Sequence, residues 1–360
     1  MTEPTLRDPR SMSGDGYRHL QGGLVTFGRG LADLADHDER IVVGSADLTV
    51  STLLTEFTAR HPNRSFQFGI SERNMVSAAA GLASTGLRPY VSTFAAFASL
   101  MCLEQIRTDL AYPNMPVRIV ATHAGLALGF LSTSHHATED LAALRGIANL
   151  TVLSPSDGAT AVALAEATVD WPTPIYFRLG RGRDEGTYAA VPAGYGPGAP
   201  YVARTGSDLL IVATGIMVKR SLEAADALRG HGIAAEVVDV HTIKPFPAAA
   251  LADIAASHVA VLTVEEHNVE GGLGSLVAEA LFRAGVSIPL YTHGLHDEFA
   301  IIGPPNHQYR YYGLDPEGID IVARRLLEYR AGKQRRSPDM LWFEADRNRV
   351  LQESGGKHGI

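Results

Sequence analysis

The segment PYVSTFAAFASLMCLEQIRTDLAYPNMPVRIVA, residues 89–121, decides the fold class of this chain. It begins with a short apolar run, Pro89–Ser92, continues through a longer helix-like segment, Thr93–Leu110, and ends with a β-branched run, Val117–Ala121. A strand, a helix and a second strand in that order are typical of the crossover unit of a parallel sheet. We therefore predict an α/β protein built on parallel strands.

Strand-like and helix-like segments alternate on both sides of this unit, in two blocks. In the first block the further strands are Arg40–Val43, Leu150–Leu153 and Pro174–Arg178, and the further helices are Leu24–Asp38, Glu72–Ser84, Glu139–Gly146 and Asp157–Val169. In the second block the strands are Asp208–Thr214, Ala235–Val240, Ala260–Glu265 and Ile288–Thr292, and the helices are Val218–Gly230, Pro247–Ala256, Gly272–Ala284 and residues 317–331. Short apolar runs of this kind indicate strands buried on both faces. The pattern predicts two doubly wound, mainly parallel-sheet domains in tandem.

The composition between the two blocks predicts the domain boundaries. Residues 182–206 are rich in Gly, Pro and Ala, which is the composition of a linker. We place a flexible N-terminus at residues 1–17 and a first domain at residues 18–190. A linker follows at 191–206, then a second domain at 207–331 and a C-terminal extension at 332–360. A length of 360 residues agrees with two domains.

Charge and composition restrict the classes of function. The chain has 31 basic and 39 acidic side chains, so its net charge with neutral histidines is −8. A negative balance without a basic stripe argues against nucleic-acid binding, and no apolar run reaches the roughly 18 residues of a membrane span. Cys102 is the single cysteine, which excludes an internal disulfide and a cysteine-built zinc site. We expect a cytoplasmic protein without nucleic-acid or membrane partners.

The segment FGISERNM, residues 68–75, contains a candidate acid–base residue. Ser71 fits the N-cap of a helix and Glu72 fits its first turn, where the helix dipole favours an acid, and this structural interpretation is complete in itself. The residues that follow are largely apolar, from Met75 onward. A carboxyl group in such surroundings loses solvent and suits proton sharing, which is the functional interpretation.

Aromatic and histidine side chains are further candidates. Phe94, Phe97 and Leu100 share one face of the predicted helix, an apolar stripe that normally packs in a core. His123 directly follows a strand, and ligands of parallel sheets bind at the carboxyl ends of strands. His135 lies one helical turn before an acid, a spacing that suits a metal ligand, a cap and a solvated face alike.

A series of motifs in one order resembles a known enzyme family. The motifs are Gly44-Ser45-Ala46-Asp47-Leu48-Thr49, Gly69–Met75, Ser92-Thr93-Phe94 with Phe97, Thr122-His123 with His135, Thr242-Ile243-Lys244-Pro245, Val264-Glu265-Glu266-His267 and Gly271-Gly272-Leu273-Gly274. They resemble the C-terminal half of a transketolase, over about residues 18–330. The resemblance implies a thiamine-diphosphate pyrimidine-binding domain followed by a transketolase C-terminal domain. Residues 104–107 and 109–114 are most similar to two-subunit transketolases.

The resemblance implies a set of residues around thiamine diphosphate. Glu72 matches the catalytic acid that bonds N1′ of the aminopyrimidine ring and favours its imino tautomer. Phe94, Phe97 and Leu100 match positions that pack on this ring, and stacking of this kind contributes on the order of 1 kcal/mol per ring pair. Asp47 matches an acid near the thiazolium ring.

Other matched positions imply contacts with the substrate. His123 and His135 match substrate-facing histidines with a role in catalysis. Ser51 matches a contact to a substrate phosphate group. Arg178 or Arg181 stands for the phosphate-binding arginine of the family.

Two departures from the family pattern qualify these roles. Gly14-Asp15-Gly16 has the letters of a magnesium-diphosphate motif, but no strand precedes it and the first Asn is Asn63, so we interpret it as a turn. We therefore expect no metal on this chain and a separate partner chain that holds Mg2+ and the diphosphate, with α2β2 as the default assembly. Leu131 replaces the family's Asp that bonds a sugar hydroxyl, which predicts a non-standard, less hydroxylated substrate.

These points together predict the C-terminal subunit of a split, thiamine-diphosphate-dependent transketolase-like enzyme. It would transfer a two-carbon ketol unit and work only with its partner chain. The alternative is the β subunit of a decarboxylating 2-oxoacid enzyme or a carboligase similar to deoxyxylulose-phosphate synthase. A third interpretation is a non-catalytic scaffold, which the retention of Glu72, Phe94, Phe97, His123 and His135 disfavours.

Overall fold

The computed structural model describes residues 23–181 and 186–332. The predicted flexible N-terminus, with Gly14-Asp15-Gly16, lies outside the described residues, as does the predicted C-terminal extension apart from its first residue. The predicted strand–helix alternation is present in both blocks.

Within the described residues, the first sheet has seven strands. They are β1 (Ile41–Ser45), β2 (Ser65–Gln67), β3 (Arg88–Phe94), β4 (Arg118–Thr122), β5 (Thr151–Leu153), β6 (Ile175–Arg178) and β10 (Thr242–Lys244). Their order is β10-β5-β6-β4-β3-β1-β2, and every pair is parallel except β10 with β5. The apolar strands are buried along their length because helices cover both faces of a parallel sheet.

The helices of the first block connect these strands. They are α1 (Gly23–His37), α2 (Thr55–Arg60), α3 (Glu72–Ser84), α4 (Leu103–Gln105), α5 (Asp140–Arg145) and α6 (Gly158–Ala167). The single helix predicted over Thr93–Leu110 is wrong in its details. Strand β3 continues through Phe94, and π-helical segments flank α4 at Phe97–Met101 and Ile106–Ala111.

In the same part of the chain, the second sheet has five strands. They are β7 (Tyr201–Arg204), β8 (Leu209–Ala213), β9 (Ala235–Asp239), β11 (Ala260–Asn268) and β12 (Leu290–Leu295), in the order β12-β11-β8-β9-β7. Only β7 is antiparallel to its neighbour. The helices of this block are α7 (Met217–Gly230), α8 (Ala248–Ala255), α9 (Leu273–Ala284), α10 (Pro305–Tyr311) and α11 (Pro316–Arg330). The predicted fold class, two mainly parallel α/β domains in tandem, is confirmed.

The two domains share a core. One buried cluster contains Ile119 of β4 and Val212 of β8, together with Leu144, Leu251 and Leu281 from helices α5, α8 and α9. Separate apolar clusters cover the outer face of each sheet. Apolar surface buried between the sheets therefore stabilises the junction as well as each domain.

Two features near the junction differ from the simple tandem arrangement. Strand β7 lies inside the segment predicted as a linker, and the hydroxyl groups of Tyr188 and Tyr195 both donate to Asp239 Oδ2 at 2.9 Å. Strand β10 follows the second block's β9 in sequence but joins the edge of the first sheet. Neither feature has a sequence signal of its own, because each depends on a distant pairing partner.

Candidate active site

The predicted site residues meet at the carboxyl ends of the central strands of the first sheet. Phe94 ends β3, His123 directly follows β4, and Asp47 lies two residues after β1. These three strands are parallel neighbours, so their carboxyl ends lie at one edge. Glu72 begins α3, five residues after the end of the next strand, β2.

Two phenylalanines and two histidines form one ring cluster at this edge. The ring centroids of Phe94 and Phe97 are 5.8 Å apart. His123 lies 4.5 Å from Phe94, and His135 lies 5.1 Å from Phe97 and 6.1 Å from Phe94. The prediction that Phe94 and Phe97 share one face of a helix is wrong, because Phe94 ends a strand and Phe97 begins a π-helical segment. The four rings nevertheless make a compact aromatic surface.

His123 has a restrained position. Its φ is +59°, a conformation that non-glycine residues rarely adopt. The side chain is 5% exposed, and Nδ1 lies 3.0 Å from Thr122 Oγ1. The backbone N–H donates to the carbonyl of Gly180 at 3.3 Å, beyond the end of β6. An unfavourable backbone conformation held by such neighbours is typical of functional positions.

Glu72 is a buried carboxyl group at the start of a helix. It is 6% exposed. Ser71 occupies the predicted N-cap position of this helix, but its side chain makes no capping hydrogen bond. The hydroxyl of Thr93 lies 3.5 Å from Glu72 Oε1, at the outer limit of a hydrogen bond. A carboxyl group withdrawn from water with so weak a contact is suited to binding a hydrogen-bond donor from a ligand.

Four other predicted positions lie on the exposed rim of this edge. Asp47 and Ser51 are exposed, and the backbone N–H of Asp47 donates to Gln67 at 2.7 Å. Leu100 is 53% exposed and Leu131 is 49% exposed. Their side chains are therefore accessible to a ligand or to another chain.

The two candidate arginines have different surroundings. Arg178 is 5% exposed, and its Nε lies 3.0 Å from an oxygen of Asp140. Burial alone would lower the pKa of Arg178, but the charge of Asp140 raises it above the ordinary value. The guanidinium also donates to the carbonyl oxygens of Ala137 and Glu266. This placement does not support the predicted phosphate contact of Arg178, whereas Arg181, further along, is half-buried.

Sequence reasoning missed a buried polar group at the domain junction. Both oxygens of Glu265 accept backbone N–H groups at the start of α9, from Leu273 at 2.7 Å and Gly274 at 2.8 Å. Burial raises the pKa of Glu265 to about 8, although these two amides oppose the shift. His267 Nδ1 lies 3.7 Å from this carboxyl group, and burial lowers the pKa of His267 to about 4. The motif Val264-Glu265-Glu266-His267 was the available sequence signal, but it did not indicate that Glu265 would accept hydrogen bonds from the start of α9.

Residues 23–181 and 186–332 lack two further features. No group of three or more His, Cys, Asp or Glu side chains within these ranges is placed to hold a metal ion. No helix in the same ranges is long and apolar enough to cross a membrane.

Comparison with known families identifies the two domains. The sequence profile of the transketolase pyrimidine-binding domain matches residues 25–184, and that of the transketolase C-terminal domain matches residues 198–319. The chain belongs to the transketolase family. The resemblance predicted from the motifs is thereby confirmed.

The relatives of this chain include transketolase subunits and 1-deoxy-D-xylulose-5-phosphate synthases. A 6-deoxy-6-sulfo-D-fructose transketolase subunit of Clostridium sp. (strain MSTE9) is 35% identical, over 83% of this chain and 92% of its own length. An apulose-4-phosphate transketolase subunit of Phocaeicola vulgatus is 35% identical, over 80% of this chain and 92% of its own. A solved split-gene transketolase, an inactive beta4 tetramer, superposes with a TM-score of 0.75 at 38% identity, covering 84% of this chain and 96% of that chain.

Proposed function

We propose that this chain is the C-terminal subunit of a split, thiamine-diphosphate-dependent transketolase-like enzyme that transfers a two-carbon ketol unit. The observation that supports this most is the convergence of Glu72, Phe94, Phe97, His123 and His135 at one sheet edge of a transketolase-family chain. The relatives named as transketolase subunits are matched over most of their length.

The residues at this edge fit the aminopyrimidine ring of the cofactor. Glu72 would hold a ring nitrogen and share its proton, since among the described residues its buried carboxyl has only the weak 3.5 Å contact to Thr93. Phe94, Phe97 and Leu100 would pack on the ring, and Asp47 would lie near the thiazolium. When bound, thiamine diphosphate supplies a stabilised carbanion equivalent for cleaving and forming carbon–carbon bonds.

The substrate would lie against the histidines and the rim of the site. His123 and His135 would orient the oxygens of the substrate and move protons to or from them, while Ser51 and Arg181 would contact its anionic group. Leu131 offers no hydrogen bond to a sugar hydroxyl at that position. We therefore propose a less hydroxylated or otherwise non-standard sugar, which agrees with relatives named for 6-deoxy-6-sulfo-fructose and apulose-4-phosphate.

A partner chain would complete the site. It would hold Mg2+ and the diphosphate, since the domains that this chain matches are the pyrimidine-binding and C-terminal domains of a transketolase. Loops beside the site expose large apolar side chains, with Val50 69%, Ile70 85% and Phe130 66% exposed, as expected of a surface that another chain covers. We propose an α2β2 assembly in the cytoplasm.

Reconstitution tests this proposal directly. Thiamine diphosphate binding and ketol transfer should appear when the chain is mixed with an N-terminal subunit that carries the diphosphate-binding domain, and not with either chain alone. Release of CO2 from a 2-oxoacid by the mixture would favour the decarboxylating alternative. Failure of the mixture to bind the cofactor would contradict the proposal.

The substrate proposal is tested by replacing Leu131. Leu131→Asp restores a hydrogen-bond acceptor, so the ratio of kcat/KM for xylulose 5-phosphate to kcat/KM for a deoxy analogue should rise by about tenfold or more. Exposed Val259 provides the matched control, because Val259→Asp adds the same charge to an apolar surface residue outside the site. An unmodified reconstituted pair that uses standard pentose phosphates at full rate would contradict the substrate proposal.

A further inference from the structure

The loop between β4 and α5, residues 124–138, carries Leu131 and His135 and begins directly after His123. Two antiparallel hydrogen bonds close its base: Gly125 N–H donates to Ala137 O at 3.0 Å, and Ala137 N–H donates to Gly125 O at 3.1 Å. The position of the predicted substrate-facing residues therefore depends on how this loop is held.

The second domain holds this loop at four points. Each contact is a hydrogen bond between a loop residue and a residue beyond β10, and the pairs are Leu126 with Glu266 (2.6 Å), Gly129 with Gly303 (3.2 Å), His136 with Gln308 (3.4 Å) and Thr138 with Asn268 (2.8 Å). These contacts are spread along the loop from its base to its far side. The loop is thus fixed from outside its own domain.

Glu266 makes the shortest of these contacts. Its side chain is 3% exposed, and Oε1 accepts both the backbone N–H of Leu126 and the hydroxyl of Tyr309, the latter at 2.5 Å. A Cβ at Gly125, whose φ is +61°, would overlap the carboxyl carbon of Glu266. The glycine therefore allows the carboxyl group to pack directly on the loop backbone, two residues from His123. A charged acceptor makes a stronger bond to a backbone amide than a neutral one.

The backbone of Glu266 contributes to the same junction. Its carbonyl accepts Arg178 Nη2 at 2.9 Å, and the same nitrogen donates to the carbonyl of Ala137 at 3.2 Å, at the other end of the loop base. The residue thus contacts one end of the loop base through its side chain and the other end through Arg178.

We propose that Glu266 is a positioning residue for the reaction: it fixes the 124–138 loop in the conformation that places His123 and His135 toward the substrate. The inference rests on the proposed function for the role of these histidines. We call the contacts of Glu266 with Leu126 and, through Arg178, with Ala137 the clamp. Loss of the clamp lowers the fraction of molecules with an ordered loop, and the apparent affinity for substrate falls by that fraction.

The experiment compares Glu266→Leu with Glu266→Gln in the full chain and in the reconstituted pair. Leu cannot accept either hydrogen bond, whereas the amide oxygen of Gln can accept both. In Glu266→Leu, amide hydrogen exchange over residues 124–138 should become about tenfold faster, KM should rise about tenfold and kcat should change little. Glu266→Gln should restore both readouts, and Tyr309→Phe should give a smaller effect of the same kind. Tyr188→Phe is the matched control, because it removes a phenol–carboxylate bond at Asp239 instead.

The outcomes separate this inference from the proposed function. Unchanged exchange over 124–138 in Glu266→Leu, or an equal increase in β8 and β11, would overturn the clamp. Faster exchange without a change in KM would overturn the positioning role. A wild-type pair that shows no turnover would count against the proposed function and against the reaction role, whereas the exchange data would still decide whether the clamp exists.

Discussion

The carboxyl groups of two buried glutamates, one in each domain, lie at the start of a helix and have opposite surroundings. Glu265 is fully buried, and its two oxygens accept N–H groups at the start of α9. Glu72 is 6% exposed at the start of α3, with one contact of 3.5 Å to Thr93. A satisfied carboxyl group stabilises the fold, whereas one with a weak contact is available for chemistry. Helix position and burial alone would not separate the two.

The largest expected effect is on activity at Glu72. Glu72→Gln keeps the shape of the side chain but removes an acid that shares a proton, so kcat of the reconstituted pair should fall by about 100-fold or more. Assembly and melting temperature should stay close to wild type, because the substitution weakens only the long contact between Glu72 and Thr93. Steady-state kinetics with calorimetry measures both, and Glu166→Gln, an exposed acid on α6, is the control. Assembly lost together with activity would show that Glu72 is structural.

The second effect is on stability at Glu265. Glu265→Leu keeps approximate volume but leaves the N–H groups of Leu273 and Gly274 buried without an acceptor, which should cost about 3 kcal/mol. Thermal unfolding at fixed protein concentration checks this. The kcat of the protein that remains folded should match wild type. A variant as stable as wild type would contradict the contrast between the two glutamates.

The third and smallest effect is the pH dependence of stability. Burial raises the pKa of Glu265 from 4.5 to about 8, so between these values the folded protein keeps a proton that the unfolded chain releases. The free energy of unfolding should therefore fall as pH rises through this window. Burial lowers the pKa of His267 and His293 from 6.5 to about 4, so their contribution rises with pH between those values and opposes Glu265.

Above pH 6.5 the contribution of Glu265 is no longer opposed by these histidines, and stability should decline by up to about 1.4 kcal/mol per pH unit. Glu265→Gln removes the titrating group and should flatten the decline between pH 6.5 and 8. Melting temperatures of both proteins across this range provide the measurement. Equal slopes would show that Glu265 does not titrate there. The charges of Arg178 and Arg145, which face the group, oppose its shift.

The strands that position the site could be predicted because their signal is local. The strands β1, β3, β4 and β6 are short apolar runs between helices, and His123 directly follows one of them. The ring cluster could be inferred only through the family motifs, since the apolar stripe of Phe94, Phe97 and Leu100 also fits an ordinary core helix. Its actual geometry depends on π-helical segments that no periodicity indicated.

The features that the sequence did not predict depend on distant partners. Arg178 is buried against Asp140, 38 residues earlier, and nothing in either segment indicates this pairing. The clamp on the 124–138 loop joins residues about 140 positions apart, from Leu126 to Glu266. Strands β7 and β10 are short, and their identity as strands depends on the neighbours with which they pair.

The crossing of β10 into the first sheet affects where this chain could be divided into separately expressed pieces. Cutting within the Gly/Pro-rich segment around residues 191–200 would detach β10 from the polypeptide that contains β5. The fragment would then expose an unpaired strand edge, a surface prone to aggregation. We therefore expect the apparent linker to be a poor site at which to divide the chain.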